Sequence, residues 1–449
     1  MKIGFLAMSG IRAHDPKLLA LGLTLPGFVD RSKTIASLPS LGLLYLAACT
    51  PDGHELRYFE AESDGSEPAE VYGCDLVAIS TFSAQAFEAY AIADRLRAAR
   101  VLVAMGGLHV SVLPHEAARH ADYVVVGEGE NVWPAVVAAA VRKESPRVFR
   151  GSDFAPVDVR QLPIPRYDLL ESRPYNRFTV QTSRGCPWRC DFCASTVMLA
   201  ARYRKRPVDD VLRDIRAIQR VRERPFIEFA DDNTFVDKAW GKQLCRRLEP
   251  LGLSWFTETD ISVADDPELL DLMREAGCRQ VLIGLESPAR APLVGIELRS
   301  DFKARSVERH ADAVRRIQSH GITVNGCFIL GLDGHGPSIF EDVLAFARAV
   351  PLYDVQITVL TAFPGTPLHS RLQRERRILE PDRWDLCTLF DVNYQPTHMS
   401  PTTLREGMYW LTERLYDESC TRQRRGAFHR QYAASARERH AAARSGSAA

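Results

Sequence analysis

Short apolar runs that do not alternate with polar residues recur along this chain, and a helical stretch follows each of them. That rhythm constrains the fold more than any other feature. In the first 140 residues the runs are "KIGFLAM", "DLVAIS" (75–80), "VLVAM" (101–105) and "YVVV" (123–126). "AQAFEAYAIADRLRAAR", "HEAARHA" and "WPAVVAAAV" read as the helices between and after them. A strand that is apolar on both faces is buried on both faces, which calls for a parallel sheet covered by helices. Residues 1–145 are therefore expected to form a doubly wound α/β domain. Ser80–Thr81, Gly106–Gly107 and Gly127-Glu128-Gly129-Glu130 follow its strands. Ligands of open parallel sheets bind beyond the carboxyl ends of strands, where glycine lets the backbone come close. Tight strand-to-helix turns would use the same residues.

Residues 146–175 are proline-rich and irregular and read as a linker. A second alternating series fills residues 176–368. Its strands are "FTVQT" (178–182), "FIEFA" (226–230), "LSWFTE" (253–258), "QVLIGLE" (280–286), "TVNGCFILG" (323–331) and "VQITVL" (355–360). Six strand–helix units suit a partial (β/α)6 barrel, since eight close the usual one. Polar groups follow these strands in turn: a cysteine loop, then Asp231, Asp232 and Asn233, then Glu258 and Asp260, then Glu286 and Ser287, then Asp333. Active sites occupy that end of a barrel, although Asp231 and Asp232 also suit helix caps. Residues 369–420 look helical, with Leu404, Met408, Leu411 and Leu415 on one core-facing stripe. From Thr421 to residue 449 seven arginines face one acid, and a disordered basic tail is expected.

The cysteine loop is "TSRGCPWRCDFCAS", with Cys186, Cys190 and Cys193 spaced C-x3-C-x2-C. The other seven cysteines are scattered and read as small buried hydrophobes. Structural zinc normally shows two separated ligand pairs. Here no second pair is near, and the flanking histidines in sequence are His120 and His310. Three close thiolates suit a loop folded over a cuboidal iron–sulfur cluster with one iron left for a small chelator. Phe192, just before the third cysteine, would shield the cluster or pack on that ligand. Zinc and chance clustering are the alternatives.

These residues resemble the radical S-adenosylmethionine (SAM) superfamily, whose barrels carry this cysteine loop after the first strand. "LPIPRYDLL", "FADDNTF", "AGCRQVLIGLESP" and "AFPGTPL" are similar to its subgroup with an N-terminal cobalamin-binding-type domain. "SLPSLGLLYLAA" and "GGLHVSVLPHEAARHADYVVVGEGE" resemble that domain itself. The resemblance implies that Cys186, Cys190 and Cys193 hold a [4Fe-4S] cluster whose open iron takes SAM. It implies cleavage of SAM to a 5′-deoxyadenosyl radical, and reduction by a donor such as flavodoxin or ferredoxin. It places Asp231, Asp232, Asn233, Glu258, Asp260, Glu286 and Ser287 near SAM, and Ser80, Gly106, Gly107, Gly127 and Glu128 near cobalamin. The D-x-H-x-x-G motif that many cobalamin domains carry is missing. His14 in "RAHDPKLLALG" is its nearest imitation, lacking both the Asp and the Gly.

The expected activity is cobalamin-dependent C-methylation of an unactivated carbon in a specialised metabolite or lipid. Radical rearrangement, cyclisation or oxidation without methyl transfer is the alternative enzyme. A cobalamin- or metal-sensing protein without turnover is the alternative of another class. No motif specifies a substrate, and no catalytic side chain is assigned. Lysine plus arginine and aspartate plus glutamate both number 57, so no global field draws nucleic acid or an acidic membrane. "MKIGFLAMSG" lacks the pattern of a signal peptide. The longest apolar region, residues 35–50, contains Pro39 and is too short to span a bilayer. A cytoplasmic setting is the expectation.

Overall fold

The computed structural model describes residues 1–8, 10, 13–21, 38–62, 65–171, 175–195 and 202–446, with side chains described as far as Glu438. Residues 35–37 of the apolar stretch, 172–174 of the linker and 447–449 of the tail lie outside the described residues.

The first series forms six parallel strands: β1 (Lys2–Ala7), β2 (Glu55–Glu60), β3 (Leu76–Ser80), β4 (Leu102–Gly106), β5 (Tyr123–Val126) and β6 (Arg147–Arg150). Their order is β2-β1-β3-β4-β5-β6. Ile3, Phe5, Leu76, Ala78, Ala104 and Val125 belong to one core cluster with the helices Leu41–Ala48 and Trp133–Val141. Leu6, Val77, Ile79, Val103 and Met105 belong to a second, with the helix Ala86–Ala98. Alternate residues of each strand thus enter two cores, as a doubly wound sheet requires. The two strands absent from the sequence reading, β2 and β6, are the edges. β2 shows an exposed-to-buried pattern in "ELRYFE", and β6 is the short "RVFR" that the linker boundary at 146 had absorbed. An edge strand is half wet and lacks the unbroken apolar run of a central one.

The second series begins with β7 (Phe178–Val180). Next come the short β8 (Ser183–Arg184) and β9 (Arg204–Lys205), which pair antiparallel. β10 (Phe226–Phe229), β11 (Ser254–Glu258), β12 (Cys278–Glu286), β13 (Thr323–Leu330) and β14 (Asp354–Val359) complete it. The large sheet runs β7-β10-β11-β12-β13-β14, all parallel and in chain order, with β7 and β14 as its two ends. All six expected strands are present, and the partial barrel is open.

The two units share one continuous core. Tyr167 and Leu170 of the linker are buried in it, and Tyr167 Oη donates to Thr179 O (2.8 Å). Arg206 and Asp214 of the barrel are buried against Tyr45 of the first unit. Arg206 Nη1 donates to Asp214 Oδ2 (2.6 Å), Tyr45 Oη (2.9 Å) and Gln181 O (2.9 Å). The expected disordered tail is instead helical over Glu418–Gly446. Cys420, Arg424 and Phe428 are buried, and Arg425 Nη2 donates to Asp354 Oδ1 at the start of β14 (2.9 Å). Aromatic and apolar residues spaced among the arginines give that helix a packed face, which its net charge concealed. No helix among the described residues is long and apolar enough to cross a membrane.

Candidate active site

The cysteine loop leaves β8 and lies across the carboxyl end of the barrel. Asp231 starts it: Oδ1 accepts from Thr182 N (2.8 Å) and Ser183 N (2.9 Å), and Oδ2 accepts from Thr234 Oγ1 (2.7 Å). Burial raises this carboxyl to about 6 against those donors. Asp232 Oδ2 accepts from Gly185 N (3.0 Å), and its other oxygen takes Ser195 Oγ. Asp260 accepts from Ser262 N (2.8 Å), Trp188 Nε1 (2.9 Å) and Asn233 Nδ2 (2.8 Å). Burial opposes its ionisation, but these donors outweigh burial and hold it below the ordinary carboxylate value. Asn233 Nδ2 also reaches Cys186 Sγ (3.9 Å). Asp231 and Asp260, expected beside SAM, therefore spend their carboxylates on anchoring the loop.

A segment missed in the sequence clamps the loop from outside. Cys190 and Glu297 form an antiparallel bridge; Asp191 N donates to Ile296 O (2.8 Å) and Leu298 N to Arg189 O (2.9 Å). Glu297 is buried, which alone would raise its carboxyl. Donation from Ser300 N and Oγ (2.7 Å each), Arg189 N (3.0 Å) and Arg299 N (3.1 Å) holds it at about 2 instead. Trp188 stacks on Phe302 with centroids 3.9 Å apart. Arg299 and Ser300 form a local turn on Glu297, but no local pattern foretells its bond to Arg189, 108 residues away, which makes it a clamp.

The donor set fits a cluster. All three cysteines are free thiols, and the first and second are enclosed enough that burial raises Cys186 to about 11 and Cys190 as well. A metal centre must displace those protons. Among the described residues no three His, Cys, Asp or Glu side chains close on a single ion. A cuboidal cluster instead takes each thiolate on a separate iron. Phe192 packs against the main core beside them.

Deeper in the barrel, Glu286 sits at a register shift of β12 with φ +61°, a left-handed backbone unusual for glutamate. Its Oε1 accepts from Lys303 Nζ (2.7 Å), which also donates to Gly284 O (2.7 Å). Ser287 Oγ lies 3.1 Å from His335 Nε2. Burial lowers His335 to about 4, and its Nδ1 accepts from Leu332 N, so the proton rests on Nε2 and is donated to Ser287. Glu258, the last residue of β11, is exposed. Desolvation by the surrounding protein, with the carboxylates of Glu228, Asp232, Asp231 and Glu286, raises its carboxyl to about 8. Asp333 departs from expectation: it turns outward to Arg377 Nη2 (2.6 Å), Thr397 Oγ1 (2.7 Å) and Arg371.

A cavity of about 540 Å³ lies between the two units. Ser80, Gly106, Gly107, Gly127 and Glu128 line it from the sheet, and Gln181, Arg184, Gly185, Ser195 and Asp232 from the barrel. It sits beyond the carboxyl ends of β1 and β3, where the strand order reverses and ligands of such sheets bind. Gly127 has φ +87°, and a Cβ there would meet nothing within 4 Å, so its backbone faces open space. Gly107 serves packing instead: a Cβ would lie 2.8 Å from Thr81 O. Glu128, expected at cobalamin, accepts from Arg184 Nη1 (2.7 Å) and Arg204 Nη2 (2.7 Å), and Glu130 takes the other arm of Arg184. Among the described residues no histidine lines the cavity. His14 Nε2 is 3.5 Å from Asp385 Oδ2 on the C-terminal region, and buried His109 faces Ser83 and Glu116.

Comparison with known proteins accords with this geometry. The family model of the radical SAM superfamily matches residues 180–347, and that of the B12 binding domain matches 32–137. An uncharacterized methyltransferase of Synechocystis is 30% identical over 80% of this chain and 67% of its own length. The chain belongs to the radical SAM superfamily, with a B12-binding domain. Among other relatives, the bacteriochlorophyllide d C-12(1)-methyltransferase of Chlorobaculum tepidum is 25% identical over 86% of this chain and 84% of its own. The structure of the radical SAM methyltransferase TsrM from Kitasatospora setae, with cobalamin and a [4Fe-4S] cluster bound, superposes with a TM-score of 0.61. The match covers 83% of this chain and 78% of that one at 17% identity, a likeness of fold. The radical SAM chain is an enzyme whose cofactors are SAM, a [4Fe-4S] cluster and cobalamin.

Proposed function

We propose that this enzyme methylates an unactivated carbon of a small, largely apolar molecule, with an external one-electron donor such as flavodoxin or ferredoxin. The observation that carries the reading is the shared cavity. Strand ends of the B12-type sheet, Gly185 and Ser195 of the cluster loop, and Asp232 after β10 line one space. A methyl group and a radical must reach the same carbon, and a common chamber gives both access to it. When bound, SAM on the cluster supplies the hydrogen-abstracting radical and cobalamin supplies the methyl group.

The chain's own residues position and enclose. Asp231, Asp260 and Glu297 hold the loop rigid from three sides. Leu41, Leu46, Met105 and Val125 give the chamber apolar walls, which exclude water from reactive species. Those walls suit an apolar substrate. Glu258, whose proton is held to about pH 8, can donate a hydrogen bond to a polar group of SAM or substrate.

Anaerobic turnover with SAM and a reductant tests the reading. It should give 5′-deoxyadenosine, S-adenosylhomocysteine and a methylated product. Deoxyadenosine without S-adenosylhomocysteine would leave a radical rearrangement or oxidation and remove the methyl transfer.

A further inference from the structure

We propose that the interior of the open barrel holds the head group of the substrate, and that this head is uncharged and carries N–H or O–H donors. It rests on the methyl-transfer reading above and adds the class of molecule acted on. One face of the barrel sheet is apolar and lies in the main core, with Val281, Ile283, Val324, Phe328, Val355 and Ile357 fully buried. Alternate residues form the other face. Register aligns them there in two rows: Glu258, Leu282 and Asn325, then Gly284, Cys327 and Gln356. A closed barrel fills its interior with large branched side chains. Here the rows hold a glycine, a cysteine and two amides. Glu258, Leu282, Gly284 and Cys327 keep contact with solvent between buried chain neighbours. The interior is therefore a chamber. On the β7 side the same face continues into the inter-unit cavity, which Thr179 and Gln181 line.

Two acceptors in this chamber stand open. Asn325 Oδ1 and Gln356 Oε1 take no hydrogen bond among the described residues, although Asn325 is only 4% exposed and Gln356 9%. A buried acceptor without a partner costs free energy, so it calls for a group that the chain does not itself supply. The two amides lie on adjacent strands, diagonal to one another on one face, and a single head group can reach both. The charges around them are already paired. Arg177 Nη1 donates to Glu228 Oε2 (2.8 Å) and Lys303 Nζ to Glu286 Oε1 (2.7 Å). Asp354 takes Arg425 Nη2 on one oxygen and Gln280 Nε2 on the other (2.9 Å each). These cations are spent, so an anionic head would meet carboxylates. A cationic head would have to displace one of the chain's own cations. Glu258 is the exception, since the charged groups acting most on it are other carboxylates. Kept protonated to about pH 8, it offers one donor to an oxygen of the same head. The apolar body of the molecule then lies toward the walls of the inter-unit cavity.

Reconstituted holoprotein with SAM is titrated with matched octyl-chain probes, and binding is read by ligand-detected NMR. Octanamide should bind about tenfold or more tighter than N,N-dimethyloctanamide, or 1-octanol than methyl octyl ether. The methylated member of each pair keeps the body and the acceptor oxygen and lacks the donor. Selectivity in the amide pair assigns an N–H head, and in the alcohol pair an O–H head. Octanoate and octylammonium should bind more weakly than the preferred donor. In Asn325→Leu with Gln356→Met the selectivity should collapse to within about twofold. That variant should keep its iron content and melt at or above wild type, because unpartnered amides give way to hydrocarbon of similar size. No selectivity in either pair would overturn the proposal, as would tighter binding of octanoate or octylammonium. So would wild-type selectivity in the variant, or a variant melting well below wild type, which would make the amides structural. Binding is read without turnover, so the two readings fail separately. Donor selectivity with deoxyadenosine but no S-adenosylhomocysteine would strike methyl transfer and leave the head-group site standing. S-adenosylhomocysteine and a methylated product without donor selectivity would strike the site alone.

Discussion

Glu258 and Asp260 stand two residues apart at the end of β11 and behave in opposite ways. Asp260 has three donors and stays ionised; Glu258 has a wall of protein and other carboxylates, and holds its proton to about pH 8. Sequence placed both at the site because acids at strand ends share one signature. Only the neighbours supplied by β12 and the cysteine loop tell them apart. The raised carboxyl has a consequence for stability. Between its ordinary value of 4.5 and about 8, the folded chain keeps a proton that the unfolded chain has lost. Its contribution is therefore full below 4.5 and drains away as pH rises through about 8. Urea midpoints at pH 5 and pH 8.5 should drop more for wild type than for Glu258→Gln. Equal drops would mean that Glu258 titrates normally.

At the level of elements, two charged seams join the units. Arg206 and Asp214 are fully buried with Tyr45, and Arg206→Ala leaves Asp214 without its cation. That should cost about 3–5 kcal/mol in chemical denaturation, and Arg206→Met with Asp214→Leu should recover most of it. A loss in the single variant below about 1 kcal/mol would show that water replaces the arginine there. The second seam is Arg184 with Glu128 and Glu130. It ties the residue two before Cys186 to the rim of the inter-unit cavity. Glu128→Gln with Glu130→Gln should weaken cobalamin binding about tenfold, read from the absorbance of the bound cofactor. Unchanged affinity would make these glutamates mere surface partners of Arg184. Neither seam was legible, since Tyr45 and Asp214 lie 169 residues apart and Glu128 and Arg184 lie 56 apart. The central strands were legible from their apolar runs, whereas the edge strands β2 and β6, wet on one side, were not.

Across the whole molecule, the terminal helix is a structural member of the barrel. It buries Phe428 and pairs Arg425 with Asp354, closing over the amino end of β14. Deleting residues 418–446 should lower stability by about 2 kcal/mol or more in a thermal or urea melt. A melt unchanged by the deletion would return the segment to the status of a tail. The sequence alone determined the two parallel α/β units, the six barrel strands and the C-x3-C-x2-C spacing of the cysteine loop. Each of these is written in local spacing: apolar runs for buried strands, and C-x3-C-x2-C for a loop around a cluster. Tertiary structure alone decided which acids anchor and which remain available. It also decided that Glu297 clamps the loop, that Asp333 and Glu128 are spent on arginines, and that Gly185, Ser195 and Asp232 share a cavity with strand ends of the first sheet. Those outcomes depend on groups far apart in the chain, and burial and hydrogen bonding reach them only once the backbone has brought them together.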